Sequence, residues 1–115
     1  MAHYAWLDEN NIVVNVSVGV DETELINGLD TETFYSQATG HNIKRTSYNA
    51  NIRGKYAGKG DSYNVEEDIF VAPQPYPSWT RSGSYWNPPT PRPTITGKFY
   101  YWSEDDLSWR EITND

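Results

Sequence analysis

Side chains able to do acid–base or metal chemistry are few and scattered. There are two histidines, His3 and His41, and no cysteine. Neither histidine stands at metal-ligand spacing from another His or Cys, so zinc-type coordination is not expected. Glu66-Glu67-Asp68 and Glu104-Asp105-Asp106 are carboxylate runs. Neither follows the EF-hand pattern, and both read as solvated turns. Gly54, Gly58 and Gly60 with Lys55 and Lys59 match a phosphate loop in composition only, because the Walker spacing is missing. No Gly-x-Ser-x-Gly nucleophile elbow occurs. These residues predict a protein that is not an enzyme and uses no cofactor or metal. What the chain offers instead is rings: five Trp, nine Tyr and three Phe.

The rings are regularly spaced. Tyr63 and Phe70, Trp79 and Trp86, and Trp102 and Trp109 each enclose six residues centred on a polar turn, and Trp6 and Val13 share that spacing. In a hairpin with a two- or four-residue loop, residues i and i+7 lie opposite each other and their side chains meet across the ribbon. Such a pair contributes about 0.2–1 kcal/mol. All seven prolines fall between Pro73 and Pro93. Proline lacks a backbone N–H and presets an extended path, so it limits ribbon length and leads the chain stiffly onward. The spacing thus predicts stacked Trp79 and Trp86 in a short hairpin between two extended struts. An isolated two-stranded hairpin is marginal in water. Its ring face must therefore lie against the protein's own sheet, against another chain or, as a stacking platform, against a sugar.

Other elements must position these ribbons. Tyr4–Leu7 and Ile12–Val20 read as strands around the turn Asp8-Glu9-Asn10-Asn11. Val14, Val16, Val18 and Val20 alternate with polar or small residues, which predicts one buried face. Asp21 with Glu24 resembles a capping box and predicts a short helix over 22–27 ended at Gly28. Asp30 predicts a second over 31–37 ended near Gly40. Residues 42–48 read as a strand, 49–61 as a Gly- and Asn-rich loop centred on Tyr56, and 63–71 as strand again. The expected fold is mainly β: a small antiparallel sheet or sandwich with one or two short helices, plus a proline-rich C-terminal arm of aromatic β-hairpins. Residues 1–72 form the body and 73–115 the arm.

The formal net charge is -7, too acidic for a generic nucleic-acid binder, and no apolar run is long enough to span a membrane. The N-terminal MAHYAWLDENN lacks a basic region followed by an apolar one, which predicts folding in a cytoplasm. Residues 1–43 carry seven acidic side chains and no Lys or Arg; Lys44, Arg45, Arg53, Lys55 and Lys59 then follow without an intervening acid. Either the two regions offset each other within the fold, or the basic group meets an acidic partner.

Several phrases resemble a known group. MAHYAWLDENNIV, KRTSYN at 44–49, KYAGKGDSYN at 55–64, APQPYPSW at 72–79 and YYWSEDDLSWRE near the C-terminus are similar to small uncharacterised proteins of marine tailed phages, including cyanophages. The resemblance spans nearly the whole chain. The family often has an acidic turn between the two tryptophans, where this chain has Thr-Arg-Ser-Gly-Ser-Tyr at 80–85. No catalytic residues carry over. The resemblance implies a virion-associated protein made in the host cytoplasm. The expected function is a capsid decoration or cement protein, or a tail-associated subunit. It would bind other virion proteins through Tyr76, Trp79, Trp86, Trp102 and Trp109, with Lys44, Arg45, Arg53, Lys55 and Lys59 as charged contacts. A homo-oligomer is a further expectation. A glycan-binding module for host attachment and a small effector binding a host protein are the alternatives.

Overall fold

The computed structural model describes residues 2–113; Met1, Asn114 and Asp115, the ends of the expected body and arm, lie outside the described residues. Among the described residues the fold is mainly β, with small antiparallel sheets and one helix. The chain divides into two compact units, Met1–Pro73 and Gln74–Asp115.

In the first unit β1 (Ala2–Leu7) is the central strand of an antiparallel sheet, flanked by β2 (Val13–Gly19) and β3 (Asn42–Thr46). As a central strand it is covered on both faces. Alternation along β1 sends Tyr4 and Trp6 to one side and Ala5 and Leu7 to the other. On the first side Ala2, Tyr4 and Ile43 form a small core with Trp6 and Tyr35 packed against it. On the second, Ala5, Leu7 and Val13 pack with Ala57, Tyr63 and Phe70. Tyr63 and Phe70 come from a ribbon of β4 (Ser62–Asn64) and β5 (Ile69–Val71). The single strand expected over 63–71 is therefore a hairpin, as the ring spacing requires.

The helix α1 (Thr31–Thr39) is capped as its sequence predicts. The Asp30 side chain accepts from the Thr33 N–H, and Gly40 closes the other end at φ 75°. The helix also covers an open sheet edge. Outward N–H groups of β3 donate into it, Ile43 to Ser36 Oγ at 2.9 Å and Arg45 to Glu32 Oε2 at 2.7 Å. Edge donors paired in this way cannot template a foreign strand.

Two expectations about this unit fail for local reasons. No helix forms over 22–27. Ile26 and Leu29 instead exchange both backbone hydrogen bonds around Asn27 and Gly28, whose φ values are 52° and 80°. Asn-Gly is the pair that a type I′ turn demands, and its geometry outweighs the Asp21 cap. The alternation of valines in β2 is also broken. Leu7 pairs with Val13 but Trp6 with Asn15, so Val14 is an extra, bulged residue. Val13 is buried beside Val16, whereas Val14, Val18 and Val20 are exposed. The same slip prevents Trp6 and Val13 from facing each other.

Gly19 ends β2 where two rings close over it. A Cβ there would sit 2.8 Å from Tyr4 Cε2 and 2.9 Å from the Tyr35 hydroxyl. Those two hydroxyls hold the next peptide: Tyr4 donates to Val20 O at 2.8 Å, and Val20 N–H donates to Tyr35 at 3.1 Å.

The second unit contains two short ribbons, β6 (Thr80–Ser82) with β7 (Tyr85–Asn87) and β8 (Tyr100–Ser103) with β9 (Ser108–Glu111). Among its described residues only Ser84 and Trp102 are buried.

Candidate functional site

The β8–β9 ribbon carries the densest set of rings. Trp102 stands opposite Trp109, with ring centroids 5.4 Å apart. The register follows from a four-residue loop, Glu104–Leu107, whose last residue adopts φ 50°. The β4–β5 ribbon is built the same way. Its loop ends in Asp68 at φ 55°, and Tyr63 faces Phe70 at 5.5 Å. In both, the last residue of the first strand caps the loop: Asn64 Oδ1 accepts from Glu67 N, and Ser103 Oγ from Asp106 N.

The middle pair corrects the expectation. Arg81, not Trp79, stands opposite Trp86, and Thr80 stands opposite Asn87. Gly83 takes the first position of a two-residue loop at φ 60°, as a type II′ hairpin requires, with Ser84 second. Pairing Trp79 with Trp86 would need the turn centred one residue earlier, with Ser82 in the positive-φ place. Trp79 instead joins the other ribbon, 5.9 Å from Trp102 and 6.1 Å from Trp109. Tyr76 completes the group, 5.7 Å from Trp79 and 6.5 Å from Trp102. The structure thus brings Tyr76, Trp79, Trp102 and Trp109 together and leaves Trp86 in the neighbouring hairpin.

Polar groups fix this ring cluster. Glu104 accepts from the Trp102 indole at 2.9 Å, from Ser78 Oγ at 2.6 Å and from Ser78 N–H at 3.1 Å. Those bonds, led by the Ser78 hydroxyl, lower the Glu104 pKa. The Trp109 indole donates to Thr90 O at 2.8 Å, between two prolines, and Arg92 lies 5.8 Å over its ring. The sequence marks Glu104 as a solvated turn residue, yet it is a structural acceptor. Only the position of Ser78 in space reveals that.

The opposite side of the ribbon is different. Ile112 N–H donates to Phe99 O, which continues the ladder by one pair. Alternation then places Phe99, Tyr101 and Ile112 on the face away from the indoles. These side chains are 68%, 49% and 50% exposed. Sequence reasoning singles out the tryptophans and passes over this set, although the period of two through Phe99-Tyr100-Tyr101-Trp102 marks it.

The five basic residues expected as charged contacts, Lys44, Arg45, Arg53, Lys55 and Lys59, lie in the first unit, and most are engaged there. Arg53 donates to Asp68 at 2.8 Å, to Glu32 at 2.6 Å and to Arg45 O at 3.0 Å, so it ties ribbon, helix and sheet. Lys55 pairs with the buried Asp61, Lys44 lies 5.6 Å over the Tyr63 ring, and Arg45 is 3.9 Å from Glu22. Lys59 is exposed. Acid and base therefore offset each other inside this unit at Arg53 and Lys55. Tyr63 lies beside Arg53: burial first, then its hydrogen bond to Asp68, push its pKa up to about 12, and the Arg53 charge opposes that rise. Arg45 also borders a polar cleft of about 330 Å³ with His3, Tyr48 and Asn51.

Among the described residues no three His, Cys, Asp or Glu side chains converge as metal ligands, and no helix is long and apolar enough to cross a membrane. No family model, curated protein or solved structure matches the chain.

Proposed function

We propose that the protein is a non-enzymatic structural component of a tailed-phage particle. It serves as a capsid decoration or cement protein or a tail-associated subunit, and binds neighbouring virion proteins through its C-terminal ribbons. The observation that carries this reading is the two-sided β8–β9 ribbon. Its indoles pack on one another on one face, while Phe99, Tyr101 and Ile112 stand exposed on the other. Contiguous exposed apolar side chains mark interaction surfaces. The unit has few buried residues and lies near the size of roughly 40 residues below which chains usually need disulfides, metals or association to fold. The particle assignment rests on the sequence resemblance. In this reading Trp79, Trp102 and Trp109 shape the ribbon, and Phe99, Tyr101 and Ile112 meet the partner.

A glycan platform needs flat faces side by side. The planes of Trp79, Trp102 and Trp109 instead meet at 64° to 90°, which favours protein contact over sugar stacking.

Mass spectrometry of purified particles tests the proposal. The protein is expected in them, and replacing Phe99 and Tyr101 together by Ser is expected to cut its incorporation at least about ten-fold. Repeated absence from particles overturns the proposal. Recovery of a single host protein with it from infected cells would then point to the effector alternative.

A further inference from the structure

The β8–β9 ribbon is built as a separable piece. Its strands pair with each other and with no other strand among the described residues. It is held to the preceding segment through side chains: Trp102 and Trp109 on Trp79, Glu104 on Ser78, and the Trp109 indole on Thr90 O. The Thr90 contact resembles the way aromatic grooves take extended proline segments, whose carbonyls have no partner of their own. A single tight turn joins the two parts. Lys98 N–H donates to Ile95 O at a long 3.3 Å, and Gly97 sits at φ 81°.

We propose that this ribbon exchanges between two copies of the chain. Opening the Ile95–Lys98 turn carries residues 99–113 away from their own Trp79 and Thr90 and onto those of a second copy. The second copy is the natural occupant because it supplies the same Trp79, Ser78, Thr90 and Arg92 that the ribbon already fits. Each interaction broken within one chain re-forms between chains, so exchange costs chiefly the entropy of association. The stiff prolines at 88–93 keep the receiving ledge in place while the hinge opens. The inference does not depend on the particle reading, and its test uses purified protein alone.

The test is sedimentation of the full chain from micromolar to millimolar concentration, for wild type, Gly97→Val and Gly97→Asn. A β-branched residue is strained at positive φ, by about five-fold or more in the closing equilibrium of one hinge. A dimer releases two hinges, so Gly97→Val is expected to tighten dimerisation at least about 25-fold. Gly97→Asn tolerates the same φ and is expected to stay near wild type. In a dimer mixed from differently isotope-labelled copies, the Trp109 indole proton is expected to show contacts with Thr90 of the other copy. Monomers throughout for wild type and Gly97→Val, or a dimer whose Trp109–Thr90 contacts stay within one copy, overturn the proposal.

Discussion

Arg53 ties together ribbon, helix and sheet in the first unit, and its removal has a calculable cost. Its side chain is 15% exposed, and it meets two carboxylates of unequal value. Glu32 is 26% exposed and bonded at 2.6 Å; a hydrogen bond of that kind to a charged group contributes about 1.5–3 kcal/mol. Asp68 is 60% exposed, so solvent screening holds that arm below about 1 kcal/mol. The guanidinium lies 5.6 Å from the Tyr63 ring, which adds about 0.5–1 kcal/mol. Glu32 keeps the Arg45 N–H and Asp68 keeps the Tyr63 hydroxyl, so neither is orphaned. Arg53→Ala should therefore destabilise the first unit by about 3 kcal/mol. The backbone supplies an internal control. Arg53 has φ 53°, a left-handed conformation that strains side chains other than Asn and Asp. Arg53→Gly removes the same interactions but relieves that strain, so it should be less destabilising than Arg53→Ala by about 0.5–1 kcal/mol. Urea unfolding followed by circular dichroism measures both. A loss under about 1 kcal/mol for Arg53→Ala, or Gly the more damaging of the two, is incompatible with these contacts and this backbone strain.

Gly19→Ala forces the Tyr4 and Tyr35 rings off the added methyl and loosens their grip on Val20. Overpacking of this kind costs about 1–3 kcal/mol, measurable as a lowered urea midpoint. Acid should loosen the indole cluster. The Glu104 pKa is lowered in the fold from its ordinary 4.5, so between the two values the unfolded chain binds more protons and stability rises with pH. Its contribution is complete above the ordinary value and is lost as pH falls through the lowered one. Glu104→Gln should remove that part of the acid dependence of tryptophan fluorescence. Tyr63 acts at the other end of the scale. Its pKa rises from 10.0 to about 12, so its contribution is intact below pH 10 and lost as pH climbs toward 12. Tyr63→Phe should flatten the alkaline limb of the stability profile.

The sequence discloses the ribbons more readily than their environment. Tyr63 with Phe70 and Trp102 with Trp109 are legible because four-residue loops and a spacing of seven leave one register. Trp79 with Trp86 has the same spacing and fails, because the positive φ at Gly83 moves the turn by one residue. Asn27-Gly28 similarly overrides a helix cap, and the bulge at Val14 hands its inward place to Val13. Each miss is a turn or bulge whose geometry outweighs a side-chain pattern. Contacts distant in sequence are illegible: Arg53 on Glu32, Ser78 on Glu104, and Trp79 on the second ribbon. The exposed face of Phe99, Tyr101 and Ile112 is within reach of period-two reasoning. It is masked by the neighbouring tryptophans, which draw the eye as anchors and turn out to pack on each other.

Hydroxyl-radical footprinting of the isolated protein and of the protein within purified particles reads both faces of the ribbon in one experiment. In isolation Phe99, Tyr101 and Ile112 should be modified readily, while Trp102, only 6% exposed, should be spared. In particles the same three side chains should become protected. Modification of Trp102 ahead of Tyr101, or unchanged labelling of Phe99, Tyr101 and Ile112 in the particle, would rule out a ribbon that docks through this exposed face.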